Sequence, residues 1–232
     1  MAEVVYKFIS LANFRRFAEI LVYNKIYGAS YRELNDPMEC AFTNDTKWKD
    51  PETNLWKILK RTRICSFAVS KMEENGTFQE PYKDILMWSH YADGHKGACI
   101  KLEISSSYNK EWKRYSVNYS DELPRISNNV DQDFDEVVST KKTIWKSENE
   151  VRYVRTYKDK HSFKENSPYI HIKIKAIYIG QKVKGPEASF LFRLIQSVNN
   201  DIDVLWMRSG TNDNVHYPEL YPRNLKESPI SV

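Results

Sequence analysis

The sequence predicts an α+β domain, a single mixed unit over residues 1–232 with a largely antiparallel sheet. Three observations predict it. Short runs of alternating apolar and polar residues recur along the chain, as strands with one buried face require. Longer runs with apolar residues three and four apart are interspersed among them, as amphipathic helices require. Several strand-like runs follow one another without an intervening helix, which departs from the strict β-α-β alternation of a doubly wound parallel sheet.

In chain order, Val4 to Ile9 reads as an opening strand. Ser10 can cap a helix to about Leu21, because Leu11, Phe14, Phe17 and Leu21 recur at helical spacing. Ile26-Tyr27 forms a short strand that stops at Gly28. Leu34-Asn35-Asp36-Pro37 carries turn chemistry. Asp50-Pro51 opens a helix with Leu55, Trp56 and Leu59 on its apolar side. Arg63 to Val69 is a strand, Ser70 to Tyr82 a polar loop, and Asp84 to Asp93 a short helix ended by Gly94. Ala98 to Ile104 and Tyr115 to Tyr119 alternate as strands. Val130 to Trp145 has the spacing of one helix, with Lys141 the polar residue on its apolar face; a lysine stem can pack there. Val151 to Tyr157 and Tyr169 to Ile179 read as strands. Gly185-Pro186 opens a helix through Val198, and Ile202 to Met207 and Val215 to Tyr221 close the chain as strands.

The bulk numbers exclude several classes. The chain has 232 residues, 41% hydrophobic and 28% charged, an ordinary globular balance. Its 35 basic and 31 acidic residues interleave, so no basic stripe marks a nucleic-acid binder. The three cysteines, Cys40, Cys65 and Cys99, are too few and too far apart for a disulfide framework and fit a reducing compartment. No apolar run reaches the ~18 residues of a membrane helix, and the amino terminus lacks signal-peptide layout. A cytoplasmic protein without membrane contact is expected. There is no dinucleotide fingerprint, P-loop, zinc-protease or nucleophile-elbow motif.

Four groups of residues can carry chemistry. Met87-Trp88-Ser89-His90-Tyr91-Ala92-Asp93-Gly94-His95-Lys96-Gly97 concentrates imidazole, hydroxyl and aromatic groups before two glycines. Its plainest role is a packed Trp and Tyr beside a capped helix end; its functional role is a pocket wall for a polar ligand. His90 and His95 lie five apart, a poor spacing for a shared metal, and no metal ligand is assigned. Glu148-Asn149-Glu150-Val151-Arg152 would place Glu148, Glu150 and Arg152 on one face of a strand. Such carboxylates can hold split pKa values or stabilise a developing cation, although an exposed Arg–Glu pair is the simpler role. Asn35-Asp36-Pro37-Met38-Glu39 is a turn able to rim a pocket. Tyr6-Lys7-Phe8 lies on the opening strand.

Together these pieces resemble the bacterial family known as domain of unknown function 2971. Its members carry a Tyr-Lys-Tyr opening, an Asn-Asp-Pro-Phe-Glu turn and a Cys-Phe-Ser or Cys-Ser-Phe strand. A Met-Trp-x-x-Tyr-Ala-x-x-His-x-Gly segment and a Lys-x-x-x-Trp-x-x-Glu-x-Glu-aromatic-Arg segment follow. The corresponding residues here are Tyr6 to Phe8, Asn35 to Glu39, Cys65-Ser66-Phe67, Met87 to Gly97 and Lys141 to Arg152, over about residues 5–207. Met38 stands where Phe is usual and Val151 where an aromatic is usual.

The order of the polar residues is also similar to that of ADP-ribosyltransferases. That resemblance implies a split sheet, NAD as substrate, and three elements in order: a polar first-strand residue, a Ser or aromatic on a middle strand, and a late Glu within Glu-x-Glu. It assigns catalysis to Glu150, Glu148 and His90. It assigns NAD binding to Tyr6, Lys7, Ser66, Trp88, Tyr91, His95, Asn35, Asp36 and Arg152. The first-strand residue here is not the His or Arg usual in that superfamily. A toxin or antiphage defence effector acting on a protein or nucleic-acid acceptor would follow. Two other functions are compatible with the same residues. One is a metal-dependent nuclease or hydrolase using Asp36, Glu39, Glu148 and Glu150. The other is a non-catalytic sensor or ligand-binding module with an aromatic pocket. A small-molecule nucleotide is the expected partner.

Overall fold

The computed structural model describes residues 2–44, 50–74, 76–127, 129–158, 167–209 and 216–220. The α+β expectation holds: strands and helices are mixed, and the strand pairs are mostly antiparallel. The chain divides into two compact units. One comprises residues 1–25, 68–105 and 171–232; the other comprises residues 26–67 and 106–170.

In the first unit, β1 (Ala2–Ile9) pairs antiparallel with β6 (Ala98–Ser105) along its whole length. Strand β12 (Lys173–Ile179) pairs antiparallel with β6, and β13 (Asp203–Ser209) runs parallel to β12 after a helical crossover. The sheet ends at β14 (His216–Leu220), antiparallel to β13. The crossover is helix α5 (Gly185–Val198), which starts with proline in its first turn as expected and buries Ala188, Leu191, Phe192 and Ile195. After β1, Ser10 caps a 3-10 turn, Leu11–Asn13, by accepting from the Ala12 N–H. Asn13 then caps α1 (Phe14–Tyr23), and Asn24 ends it in the left-handed region.

Residues 70–82, read from sequence as a loop, contain a small hairpin, β4 (Lys71–Met72) with β5 (Phe78–Gln79), followed by a 3-10 turn at Pro81–Lys83. Two-residue strands are too short for period-two alternation to register. Helix α3 (Ile85–Tyr91) follows, capped by Asp84 at the Leu86 and Met87 N–H groups. Tyr6, Phe8, Met87, Trp88, Ala92, Cys99, Ala176, Tyr178 and Met207 form this unit's core around α3.

The second unit contains β2 (Lys25–Tyr27), β3 (Thr62–Ala68), β7 (Lys113–Ser116), β8 (Asn118–Tyr119), β9 (Thr140–Lys141), β10 (Glu150–Thr156) and β11 (Tyr169–His171), some of which end at the unit boundary. Strand β10 lies between β3 and β7. Helices α2 (Asp50–Leu59) and α4 (Val130–Ser139) pack together over a core of Cys40, Leu55, Leu59, Ile64, Ile126, Val137, Val138 and Val154.

Three sequence expectations need correction. The run Val130 to Trp145 is not one helix: α4 ends at Ser139, Thr140–Lys141 forms β9, and Thr143–Glu148 forms a 3-10 turn. Ser139 donates to the Asp135 carbonyl and Thr140 to the Glu136 carbonyl, which satisfies helix-end acceptors by side chain. The Tyr115 to Tyr119 run breaks at Val117, whose N–H donates to the Glu150 carbonyl. The Tyr169 to Ile179 run breaks at Ile172, whose N–H turns to the Asn24 carbonyl.

Candidate functional site

Most of the polar residues singled out from the sequence gather into two clusters, one in each unit, while Lys7, Asn35 and His90 stand apart. In the first unit, Tyr6 is buried on β1, and its hydroxyl donates to the Glu80 carboxylate. Ser70 donates to the same carboxylate at 2.9 Å. Burial, then the bond to Glu80, pushes the Tyr6 phenol well above its ordinary value, so it stays a neutral donor. Tyr82 stacks on Tyr178 with centroids 4.2 Å apart, and Lys101 lies over the Tyr6 ring. Lys7 follows Tyr6 on an extended strand and therefore projects from the opposite face.

Trp88 is fully buried, with its indole N–H bonded to the Tyr82 carbonyl at 2.7 Å and an edge contact to Phe8. His95 is also buried and stacks on Trp88 at 5.4 Å. His90 is exposed on α3, and Tyr91, half-buried, meets it edge to face. The glycines of this segment have a packing reason. A Cβ on Gly97 would lie 2.2 Å from the Ile9 carbonyl oxygen, and one on Gly180 would lie 2.2 Å from that of His95. The backbone of the segment is thus pressed directly onto β1 and onto the turn after β12.

The second unit holds a cluster of full charges. Lys141 Nζ lies 2.5 Å from Glu148, 2.9 Å from Glu150 and 3.5 Å from Glu39. Arg152 reaches Glu39 at 2.6 Å and Glu150 at 2.8 Å, and donates to the Val138 carbonyl at 2.9 Å. All five residues are between 0% and 9% exposed. Glu150 and Arg152 share one face of β10, as period two requires. Glu148 precedes the strand, at the end of the 3-10 turn, and Asn149 turns the chain through a left-handed φ of 44°. Ser66 on β3 hydrogen-bonds the Glu150 carboxylate, and the Tyr119 hydroxyl accepts the Glu150 N–H at 2.8 Å.

Burial alone would raise the Glu150 carboxyl. Arg152, then Lys141, with hydrogen bonds from Arg152 and Ser66, outweigh it and hold the group well below its ordinary 4.5. Asp36 serves the neighbouring turn: its carboxylate accepts the Met38 N–H at 2.9 Å and its carbonyl accepts the Glu39 N–H. Asn35 is exposed beside it. The turn therefore aims Glu39 at Arg152.

Glu39, Glu148 and Glu150 converge, but on an ammonium. Lys141 occupies the point that a hard cation would take. Among the described residues, no group of three His, Cys, Asp or Glu side chains is arranged to hold a metal ion.

One stretch that contributes residues to both clusters is similar to a known family. Residues 87–153 match the family model described as Protein of unknown function (DUF2971). The DUF2971 span takes in the tryptophan–histidine segment and the Lys141 to Arg152 segment, while Tyr6, Asn35, Asp36 and Ser66 lie outside it. No curated protein and no solved structure matches the chain. No helix among the described residues is long and apolar enough to cross a membrane.

Sequence reasoning did not assign Lys141 as the hub of the cluster, nor Tyr119, Glu80 and Ser70 as partners. Lys141 did leave a signal, since it is the polar residue among the apolar ones that recur at helical spacing from Val130 to Trp145. The others are ordinary residues that only tertiary contact recruits.

Proposed function

We propose that the chain is an ADP-ribosyl-transferring enzyme that uses NAD as donor. Glu150 would be the carboxylate beside the ribosyl centre, Glu148 its helper and Ser66 its hydrogen-bonding support. The observation that carries the reading is the bond from the Ser66 hydroxyl to Glu150. It joins the middle-strand Ser and the late Glu that the ADP-ribosyltransferase resemblance sets in that order. A carboxylate kept ionised in a low-dielectric site is suited to face an oxocarbenium-like carbon as nicotinamide departs with the bonding pair. Both Glu150 oxygens are engaged by Arg152 and Lys141, so turnover requires one of those contacts to be exchanged for the ribose.

The test is release of nicotinamide from NAD and transfer of the ADP-ribosyl group to a panel of proteins and nucleic acids. Activity is expected in the wild type, lost in Glu150→Gln and reduced in Ser66→Ala, with both variants checked for folding by thermal melting. Absence of release and of transfer in the folded wild type refutes the proposal.

A second reading, a non-catalytic ligand-binding module, is favoured by one observation: all five charged side chains are engaged with one another away from solvent, and none is left open to a substrate. It expects NAD or a related nucleotide to raise the melting temperature without turnover.

A further inference from the structure

We propose that the second unit contains a proton switch: its buried ion cluster holds one proton, on Glu39, at neutral pH, and releasing that proton loosens the turn at residues 36–40. The inference stands on a charge count and does not depend on the NAD reading. Three carboxylates, Glu39, Glu148 and Glu150, face two cations, Lys141 and Arg152, which leaves one negative charge over. None of the five is more than 9% exposed, so water cannot absorb the surplus cheaply.

Among the described residues, the other groups seen to face the cluster carry no positive charge that would cancel it. From β3 comes the neutral Ser66 hydroxyl, and from β8 the Tyr119 phenol, which burial pushes up to about 12. From the turn itself comes the Cys40 thiol, also pushed up to about 12 by burial. From the end of α4 comes the Val138 carbonyl, which already accepts from Arg152. Trp145 adds its ring, 5.2 Å from the Lys141 ammonium.

The geometry points to Glu39 as the carrier. Glu150 touches both cations and accepts from Ser66, and Glu148 sits 2.5 Å from Lys141. Glu39 has one close cation, Arg152 at 2.6 Å, and is farther from Lys141 at 3.5 Å. Arg152 favours its ionised form, but burial acts more strongly in the other direction and nearby Glu150 adds to it, so its carboxyl rises above the ordinary 4.5. A protonated Glu39 still offers its carbonyl oxygen to Arg152. The turn that carries it ends in Cys40, a non-glycine residue at φ 58°, where the backbone has strain to release.

The sign follows from linkage. A carboxyl raised in the folded state contributes stability below its unfolded value, and that stability is lost as pH climbs through the folded value. Wild type and Glu39→Gln are compared by thermal melting from about pH 5 to about pH 8. Relative to Glu39→Gln, the wild type should lose about 5–10 °C of Tm across that range, ending below the variant. Infrared spectra should show a protonated-carboxyl C=O band in wild type at neutral pH that disappears in Glu39→Gln. Hydrogen exchange at residues 36–41 should quicken with pH beyond its intrinsic rise in wild type only. A wild type that stays more stable than Glu39→Gln at the alkaline end overturns the proposal. So does a carboxyl band that is absent from wild type or survives the substitution. Absence of the band from the wild type overturns the proposal even if the variant does not fold.

Discussion

Tyr6 and Glu150 sit in two different kinds of polar interior. In the first unit, a neutral phenol and a neutral hydroxyl share one carboxylate, Glu80, which is itself half-buried and still meets water. In the second, five ionised or ionisable side chains share one another and meet almost no water. The first arrangement tolerates the loss of a member, because solvent can replace it. The second does not, because each member is the counter-charge of another. Interior polarity therefore has very different weight in the two units, and substitutions can measure it.

The largest effect should come from removing a hub of the ionic cluster. Arg152→Met leaves Glu39 and Glu150 facing Lys141 alone, and should cost about 4 kcal/mol in denaturant unfolding. A loss below about 1 kcal/mol, within the range of surface ion pairs, would show that water already enters the cluster. Replacing all five charged residues with apolar residues of similar volume should restore much of that loss, since paired burial of charge is rarely better than packing.

Acid should act next, and on one unit more than the other. Glu150 titrates below its ordinary 4.5 in the fold, so it contributes stability above that value and loses it as pH falls further. Hydrogen exchange at low pH should show β10 losing protection before β1 and β6. Simultaneous loss in both units would mean that the two polar interiors are equally sensitive to acid.

A smaller change is expected for Tyr6→Phe: about 1 kcal/mol, because Glu80 keeps Ser70 and solvent. A cost comparable to that of Arg152→Met would mean that the Tyr6–Glu80 bond is as isolated from water as the ionic cluster. Smallest of all should be Arg15→Ala on α1, whose exposed pair with Glu19 at i,i+4 is worth about 0.3–0.5 kcal/mol. It sets the floor against which the other values are read.

Much of this architecture could be read from sequence wherever one local rule governs. The strand at Ala98 to Ile104 and the proline-led helix from Gly185 follow from periodicity and capping alone. So does the placing of Glu150 and Arg152 on one face. The failures came where side chains compete with the backbone. Ser139 and Thr140 take the carbonyl acceptors that a longer helix would have used, so a run with helical spacing changes into strand at Thr140. Of the candidate site, the late Glu residues and Ser66 could be singled out from the sequence, but the hydrogen bond between Ser66 and Glu150 could not, because it joins strands far apart in the chain. The convergence of Glu39 on Arg152 could not be read, since more than a hundred residues of chain separate them and no periodicity spans that gap.

Lys141 has one more consequence, for labelling. It is the only buried lysine among the described residues. Amine-acylating reagents should therefore modify the surface lysines promptly and reach Lys141 only when the second unit opens. The peptide bearing that residue, followed by mass spectrometry over time, would serve as a clock for those openings, with no introduced probe.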